Sequence, residues 1–177
     1  MERKQATEAK VVEGSGGIKA TVDLPDDQTL EAGRLFVRLS TIELSLEGLI
    51  WTLAGLDGPT GSLLTRMLDI SKKQRRLDEL LELKNAPAEA LDAWVKAKKA
   101  ISCAVERRNW LAHAVPISVG GTVLLMRTRN AAIGSALATK PVTLADLKTA
   151  NEKASEALGH LERLLPWVEP STSAGTP

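Results

Sequence analysis

The sequence predicts an all-α fold: an antiparallel bundle of four or five helices with a small β-hairpin before the last one. Three observations carry this reading. Apolar residues recur at steps of three and four through most of the chain, start and stop signals divide that pattern into segments, and one stretch changes to a period of two. A length of 177 residues suits one domain with tails. Residues 1–26 are polar and carry Gly14-Ser15-Gly16-Gly17, a flexible segment in which the Ile18–Val22 alternation gives an edge strand at most. The bundle occupies 27–166, and 167–177, rich in Pro, Ser, Thr and Gly, is expected to be disordered.

The first helix shows Leu35, Leu39, Ile42, Leu46, Leu49 and Leu53 on one face, with Asp26 or Asp27 as its cap and Gly55–Gly58 as its end. A short second helix follows Pro59, with Leu63, Leu64, Met67 and Leu68 expected inward. Ser71 and Gln74 form a capping box for a third helix through Lys84. Pro87 suits the first turn of a fourth, whose buried side would use Leu91, Trp94, Ile101 and Val105. That helix stops near Ala114, because Pro116 lacks an amide hydrogen and drives Val115 towards extended geometry. Pro116–Val119, Gly120-Gly121 and Thr122–Arg129 then read as a hairpin with a two-residue turn, about 116–129. Thr143 with Asp146 caps the last helix, which carries Leu147, Ala154, Leu158, Leu161 and Leu165 and stops at Pro166.

Composition narrows the function. With 23 Lys+Arg against 22 Asp+Glu the net charge is +1, which excludes wholesale polycation binding. A single cysteine excludes an internal disulfide and a Cys-rich zinc site, and two histidines argue against a three-ligand zinc centre. One Phe, four Trp and no Tyr do not make an extended base-stacking platform. The uncharged stretch Asn109–Met126 contains Pro116, Gly120 and Gly121, so it does not read as a membrane span, and MERKQATEAK lacks an apolar signal core. The expectation is a soluble cytoplasmic domain with no metal, no cofactor and no membrane partner.

One segment stands apart: Glu106-Arg107-Arg108-Asn109-Trp110-Leu111-Ala112-His113. At about 100° per residue, Asn109 and His113 lie some 40° apart, Glu106 about 20° from His113, and Arg108 about 140° from it. Arg108 therefore points towards the seam near Val105 and Ala112, and one helix does not bring it onto one point with His113. Arginine, amide and imidazole suit metal-free phosphodiester chemistry. Imidazole moves a proton near neutral pH, guanidinium neutralises phosphate oxygens, and an amide orients either. The RNA 2′-hydroxyl supplies the nucleophile. His113, in the last turn, faces the negative end of the helix dipole, which favours imidazolium, whereas burial would oppose it.

Arg108-Asn109-Trp110-Leu111-Ala112-His113 resembles the Arg-x(4–6)-His motif of the HEPN superfamily, with its polar residue directly after the arginine. The order of long helices, motif at a helix end, hairpin and closing helix resembles that family over roughly residues 30–165. Ala114 stands where many relatives have Gly. The resemblance implies a HEPN-like bundle and a metal-independent RNase of toxin–antitoxin, phage-defence or RNA-processing type. It further implies a homodimer whose paired motifs line one cleft, Arg108, Asn109 and His113 as the active set, and RNA, an antitoxin or another protein as partner. Glu106, on the same edge as His113, is a supporting candidate whose plainer role is a surface charge. The alternative is a non-catalytic dimeric interaction module that binds a protein or nucleotide and uses the motif as a structural lock.

Each candidate also has a plainer role. Arg108 could pair with Glu43 or Glu47 on the first helix and lock the bundle. Arg107 is expected to face water, His160 to lie on the surface, and Cys103 to be a small packing residue. Trp94 and Trp110 read as core or dimer contacts. Lys72, Lys73, Arg75 and Arg76, together with Lys96, Lys98 and Lys99, could border an RNA cleft or form solvated faces balanced by Asp78, Glu79 and Glu82. Arg127 and Arg129 share a face of the hairpin, where they could touch RNA or blunt an edge strand.

Overall fold

In the computed structural model, residues 19–20, 23–119, 122–129 and 136–168 are described. The protein is mostly helical: α1 Asp26–Ala54, α2 Gly58–Thr65, α3 Ile70–Leu83, α4 Ala88–His113, α5 Leu144–Glu162 and the single turn α6 Leu165–Val168. A sheet of four antiparallel strands, β1 Lys19–Ala20, β2 Val115–Val119, β3 Thr122–Arg129 and β4 Ala136–Pro141, runs in the order β1-β2-β3-β4. No single helix among the described residues is long and apolar enough to cross a membrane.

The period-3.6 stripe of α1 is the centre of the bundle. Leu35, Ile42 and Leu46 are fully buried, and α1 packs on α5 and α3. Its end follows from Gly55, whose φ of 68° is the left-handed conformation that a glycine adopts without penalty; its N–H and that of Leu56 close on Thr52 O and Trp51 O. At the start, Asp26 is already helical and Pro25 holds the capping position without a side-chain cap; Asp27 Oδ1 accepts from Gln28 N.

Two expected inward faces and one helix start are corrected. Helix α2 lies on Trp51 through Gly61 and Thr65, and Trp51 Nε1 donates to Thr65 Oγ1 at 3.0 Å. Only a residue without a Cβ lets the helix sit that close, so Gly61 sets the buried face and turns Leu63, Leu64 and Met67 outward. Helix α3 starts before Ser71: Asp69 caps it by accepting from Lys72 N at 2.8 Å, which brings Ile70 into the helix and the core. In α4 the buried stripe is Ala90, Ala93, Trp94, Ala97, Ala100, Ile101 and Ala104, and Leu91 is exposed. Alanines on α4 face Ala150, Ala154 and Ala157 of α5 in the same core, and such small side chains let two helices approach closely.

The hairpin has the expected register, Val119 opposite Thr122; the Gly120-Gly121 pair lies outside the described residues. The sheet goes beyond a hairpin, because β4 pairs with β3 along Leu124↔Pro141 to Arg129↔Ala136, and β1 adds the edge strand at Lys19↔Ser118. Thr143 and Asp146 form the reciprocal capping box of α5. Beyond α5, Leu164 and Val168 are buried and Trp167 packs against the core, so the ordered chain continues past Pro166; the expected tail from 169 lies outside the described residues, as do residues 1–18. A second small core of Leu125, Val142 and Leu147, with Trp110, Leu111 and Ala114 against it, fixes the sheet onto the end of α4.

Candidate functional site

The last turns of α4 run out of the bundle core and under the sheet. Ala104 is buried, Arg107, Arg108, Asn109 and Trp110 are half-buried, and His113 is exposed. The alternation follows from the neighbours: α5 begins on one side of these turns and the sheet covers another.

Arg107, expected in water, is the residue that locks the fold. Its Nη2 lies 2.9 Å from Asp146 Oδ1, with the side chain only 14% exposed. The start of α5 occupies the sector that a wheel drawn on α4 alone assigns to solvent. Asp146 thus serves the α5 cap and Arg107 together. Burial raises its pKa, but the hydrogen bonds from Thr143 and the Arg107 charge outweigh that and hold the carboxyl below its ordinary 3.8.

Arg108 has a different environment. Its Nη1 donates to Asn109 Oδ1 at 3.1 Å, and among the described residues no carboxylate lies within ion-pair distance. The expected partners Glu43 and Glu47 are taken by Lys73, whose Nζ sits 3.6 Å and 2.7 Å from them. A half-buried guanidinium oriented by an amide and lacking a fixed counter-ion can still accept an anion. His113 closes the helix, and its imidazole has no hydrogen-bond partner among the described residues.

The sheet adds cations that sequence reasoning did not assemble. Arg127 lies with its guanidinium carbon 4.1 Å from the Trp110 ring centroid, and Lys140 Nζ is 5.8 Å from the same centroid. Lys140 also donates to Glu106 Oε1 at 2.8 Å. That hydrogen bond and the Lys140 charge hold the Glu106 carboxyl below the usual range, so Glu106 is an anion tethered to the sheet. Register relates this group to His113. Val115 pairs with Met126, so Arg127 comes next to Ala114, one residue from His113. Glu106, Trp110 and His113 share one side of α4, within about 60° of each other, while Arg108 is on the other. The signal for Lys140 was weak in the sequence, since β4 carries no period-two apolar pattern.

The remaining candidates separate clearly. Lys73 is buried at 4% exposure and paired, so it is a core ion pair and not an RNA contact. Lys72 pairs with Asp69, and Arg75 and Arg76 share Glu79 on an exposed face of α3. None of these pairs reaches 106–113. Lys96 pairs with Asp92, and Lys98 pairs with Asp78. Asp78 also accepts from the buried Trp94 indole at 2.6 Å. Of Arg129 only the backbone, opposite Ala136, is described. Cys103 is exposed, not packed, and lines a cavity of about 350 Å³ with His160, Lys99 and Lys153.

The fold and site together define a helical bundle with a sheet-capped, cation-rich helix end. Compared with protein-family models, curated proteins and solved structures, the chain matches none.

Proposed function

We propose that the chain is a metal-independent endoribonuclease of HEPN type, working in the cytoplasm as a homodimer with a composite site. The observation that carries this is Arg108: half-buried, oriented by Asn109, without a carboxylate partner among the described residues, and on the same helix end as an exposed His113. In the reaction the RNA 2′-oxygen forms a bond to its own phosphorus and the P–O5′ bond breaks. One imidazole takes the 2′-hydroxyl proton, a second gives a proton to the departing 5′-oxygen, and Arg108 neutralises the charge that grows on the phosphoryl oxygens. The angular separation of Arg108 from His113, about 140°, calls for a second copy to bring the complementary group, and with it the second imidazole. Arg127, stacked on Trp110 three residues before His113 and without an ion-pair partner among the described residues, adds positive charge that favours a polyanion there, while Lys140 is balanced by Glu106.

The test is full-length protein with single-stranded RNA in EDTA. Wild type cleaves, and His113→Ala or Arg108→Ala lowers the rate by roughly 10²–10⁴-fold. Mixing the two variants restores no activity, because a hybrid dimer carries one imidazole where the reaction uses two. No cleavage by wild type, or equal cleavage by His113→Ala, rejects the reading. The same separation of Arg108 and His113 favours a second reading, a non-catalytic interaction module. It is upheld if RNA is bound but not cut and both variants bind as wild type does.

A further inference from the structure

Helix α1 leaves the side opposite its core stripe uncovered, and that side is apolar. Leu30, Val37 and Leu44 are 56%, 67% and 63% exposed, spaced seven residues apart. Between them stand Gly33, Ser40 and Thr41, with Gly48 beyond. The charges of α1 after its first turns are engaged elsewhere. Arg34 is paired with Glu31, Arg38 donates to Asn151 O, and Glu43 and Glu47 hold Lys73. Helix α2, bent 119° from α1, rests on Trp51 and extends the same side with exposed Leu63, Leu64 and Met67. Soluble monomers rarely expose a contiguous apolar area above a few hundred Å².

We infer that this face binds a second copy of the chain, α1 against α1 in antiparallel orientation about a two-fold axis through Val37. A two-fold interface must be self-complementary, and the face has that symmetry. Leu30 and Leu44 are equidistant from Val37, so each leucine meets its counterpart's partner while Val37 meets Val37, and Gly33 falls opposite Thr41. The α1–α1 contact from Leu30 to Leu44 runs about 21 Å along each helix, room for on the order of several hundred Å² per partner, at the low end of what specific interfaces bury. A lipid surface fits less well, because interfacial helices flank their apolar strip with free basic residues, and Arg34 and Arg38 are both engaged.

The contact goes beyond the ribonuclease reading. Helices α3, α4 and α5 pack on the opposite side of α1, so it leaves the α4 ends free for the separate pairing proposed above. With perpendicular, intersecting two-fold axes the two contacts together would build a closed four-chain assembly.

Light scattering on the full chain after size exclusion at tens of micromolar tests this. Wild type is expected at no less than twice 19.0 kDa, and Val37→Glu at half the wild-type mass. Val37 is exposed in the single subunit, so the variant keeps its helical circular dichroism. In a Cys103→Ser background, Val37→Cys is expected to cross-link to itself. Leu30→Cys is not, because the two-fold axis sets the two copies of that position about 21 Å apart along the helices. A wild type of 19.0 kDa, a Val37→Glu protein of unchanged mass, or equal cross-linking at both positions overturns the inference. Wild-type chain that stays monomeric but sediments with anionic vesicles assigns the face to lipid and also overturns it. A dimer dissolved by Val37→Glu with no RNA cleavage upholds this contact and rejects the ribonuclease. Cleavage with an intact Val37→Glu dimer does the reverse.

Discussion

The Arg127 guanidinium stacks on the Trp110 ring at 4.1 Å, joining strand β3 to the final turns of α4. With Lys140 Nζ 5.8 Å from the same ring centroid, the indole holds two cations of the sheet against the helix end and keeps the sheet in place there. A half-desolvated cation–aromatic contact contributes about 0.5–2 kcal/mol. Arg127→Ala is therefore expected to lower stability by about 1 kcal/mol in urea unfolding, and a double-mutant cycle with Trp110→Leu to show coupling of about 0.5–1 kcal/mol. A coupling of zero would mean that the stacking is incidental and that the sheet is held by Leu125, Val142 and Leu147 alone.

Lys73 gives the largest contrast between a surface and a core cation. Its Nζ lies 2.7 Å from Glu47 at a position 4% exposed, with Glu43 as a second acceptor. Removal of one partner from a buried ion pair leaves the other charge uncompensated, at about 3–5 kcal/mol. Lys73→Ala should fall near that range, whereas Lys72→Ala, whose partner Asp69 is as exposed as itself, should stay within about 1 kcal/mol. Equal effects in denaturant titrations would place Lys73 in solvent.

These two cases show what the sequence conveys about the site. The long helices were legible because Leu35, Ile42 and Leu46, or Ala154 and Leu161, repeat at helical spacing, and Thr143 with Asp146 declares a cap by chemistry alone. Strand β4 was hidden: Ala136–Pro141 is an edge strand ending in Lys140 and Pro141, without alternating apolar residues. Lys140 was hidden with it. A helical wheel gives angles between residues of one helix but not which neighbour fills each sector, so it separated Arg107 from Arg108 correctly and assigned Arg107 to water. The identity of the buried cation depends on which helices meet, and Lys73 reads in the sequence as one member of a basic run.

Asp146 makes a pH prediction with a definite sign. Its folded pKa lies below the ordinary 3.8 because the hydrogen bonds from Thr143 and the charge of Arg107 exceed the opposing effect of burial. A carboxyl whose folded value is depressed stabilises the fold above its unfolded value and loses that contribution as pH falls through the folded one. At neutral pH, Asp146→Asn should cost about 1–2 kcal/mol through the cap and the ion pair. The gap between variant and wild type should begin to close as pH drops past 3.8 and vanish once wild-type Asp146 is protonated. Arg107→Ala should track Asp146→Asn at neutral pH, while Arg108→Ala, which breaks no ion pair among the described residues, should melt close to wild type. Thermal melts from pH 7 to pH 2 check all three. A gap that widens on acidification would reverse the assignment.

Gly61 separates helix propensity from packing. Glycine inside a helix is about 1 kcal/mol less favourable than alanine, so propensity alone makes Gly61→Ala stabilising. A Cβ at Gly61, however, would meet Trp51 Cγ at 2.4 Å and two further ring atoms at 2.5 and 2.6 Å, with no flexible tip to move aside. Either α2 lifts from the indole, which stretches the 3.0 Å bond from Trp51 Nε1 to Thr65 Oγ1, or the ring leaves its place beside the core. Overpacking of this kind costs about 1–3 kcal/mol, more than the propensity gain. Gly61→Ala is therefore expected to lower the unfolding free energy by about 1–2 kcal/mol. In a Trp51→Leu background, where the smaller side chain leaves room, the same change should become neutral or stabilising. A stabilising effect in the wild-type background would show that α2 does not rest on Trp51, and Leu63, Leu64 and Met67 would lose the reason given for facing outward.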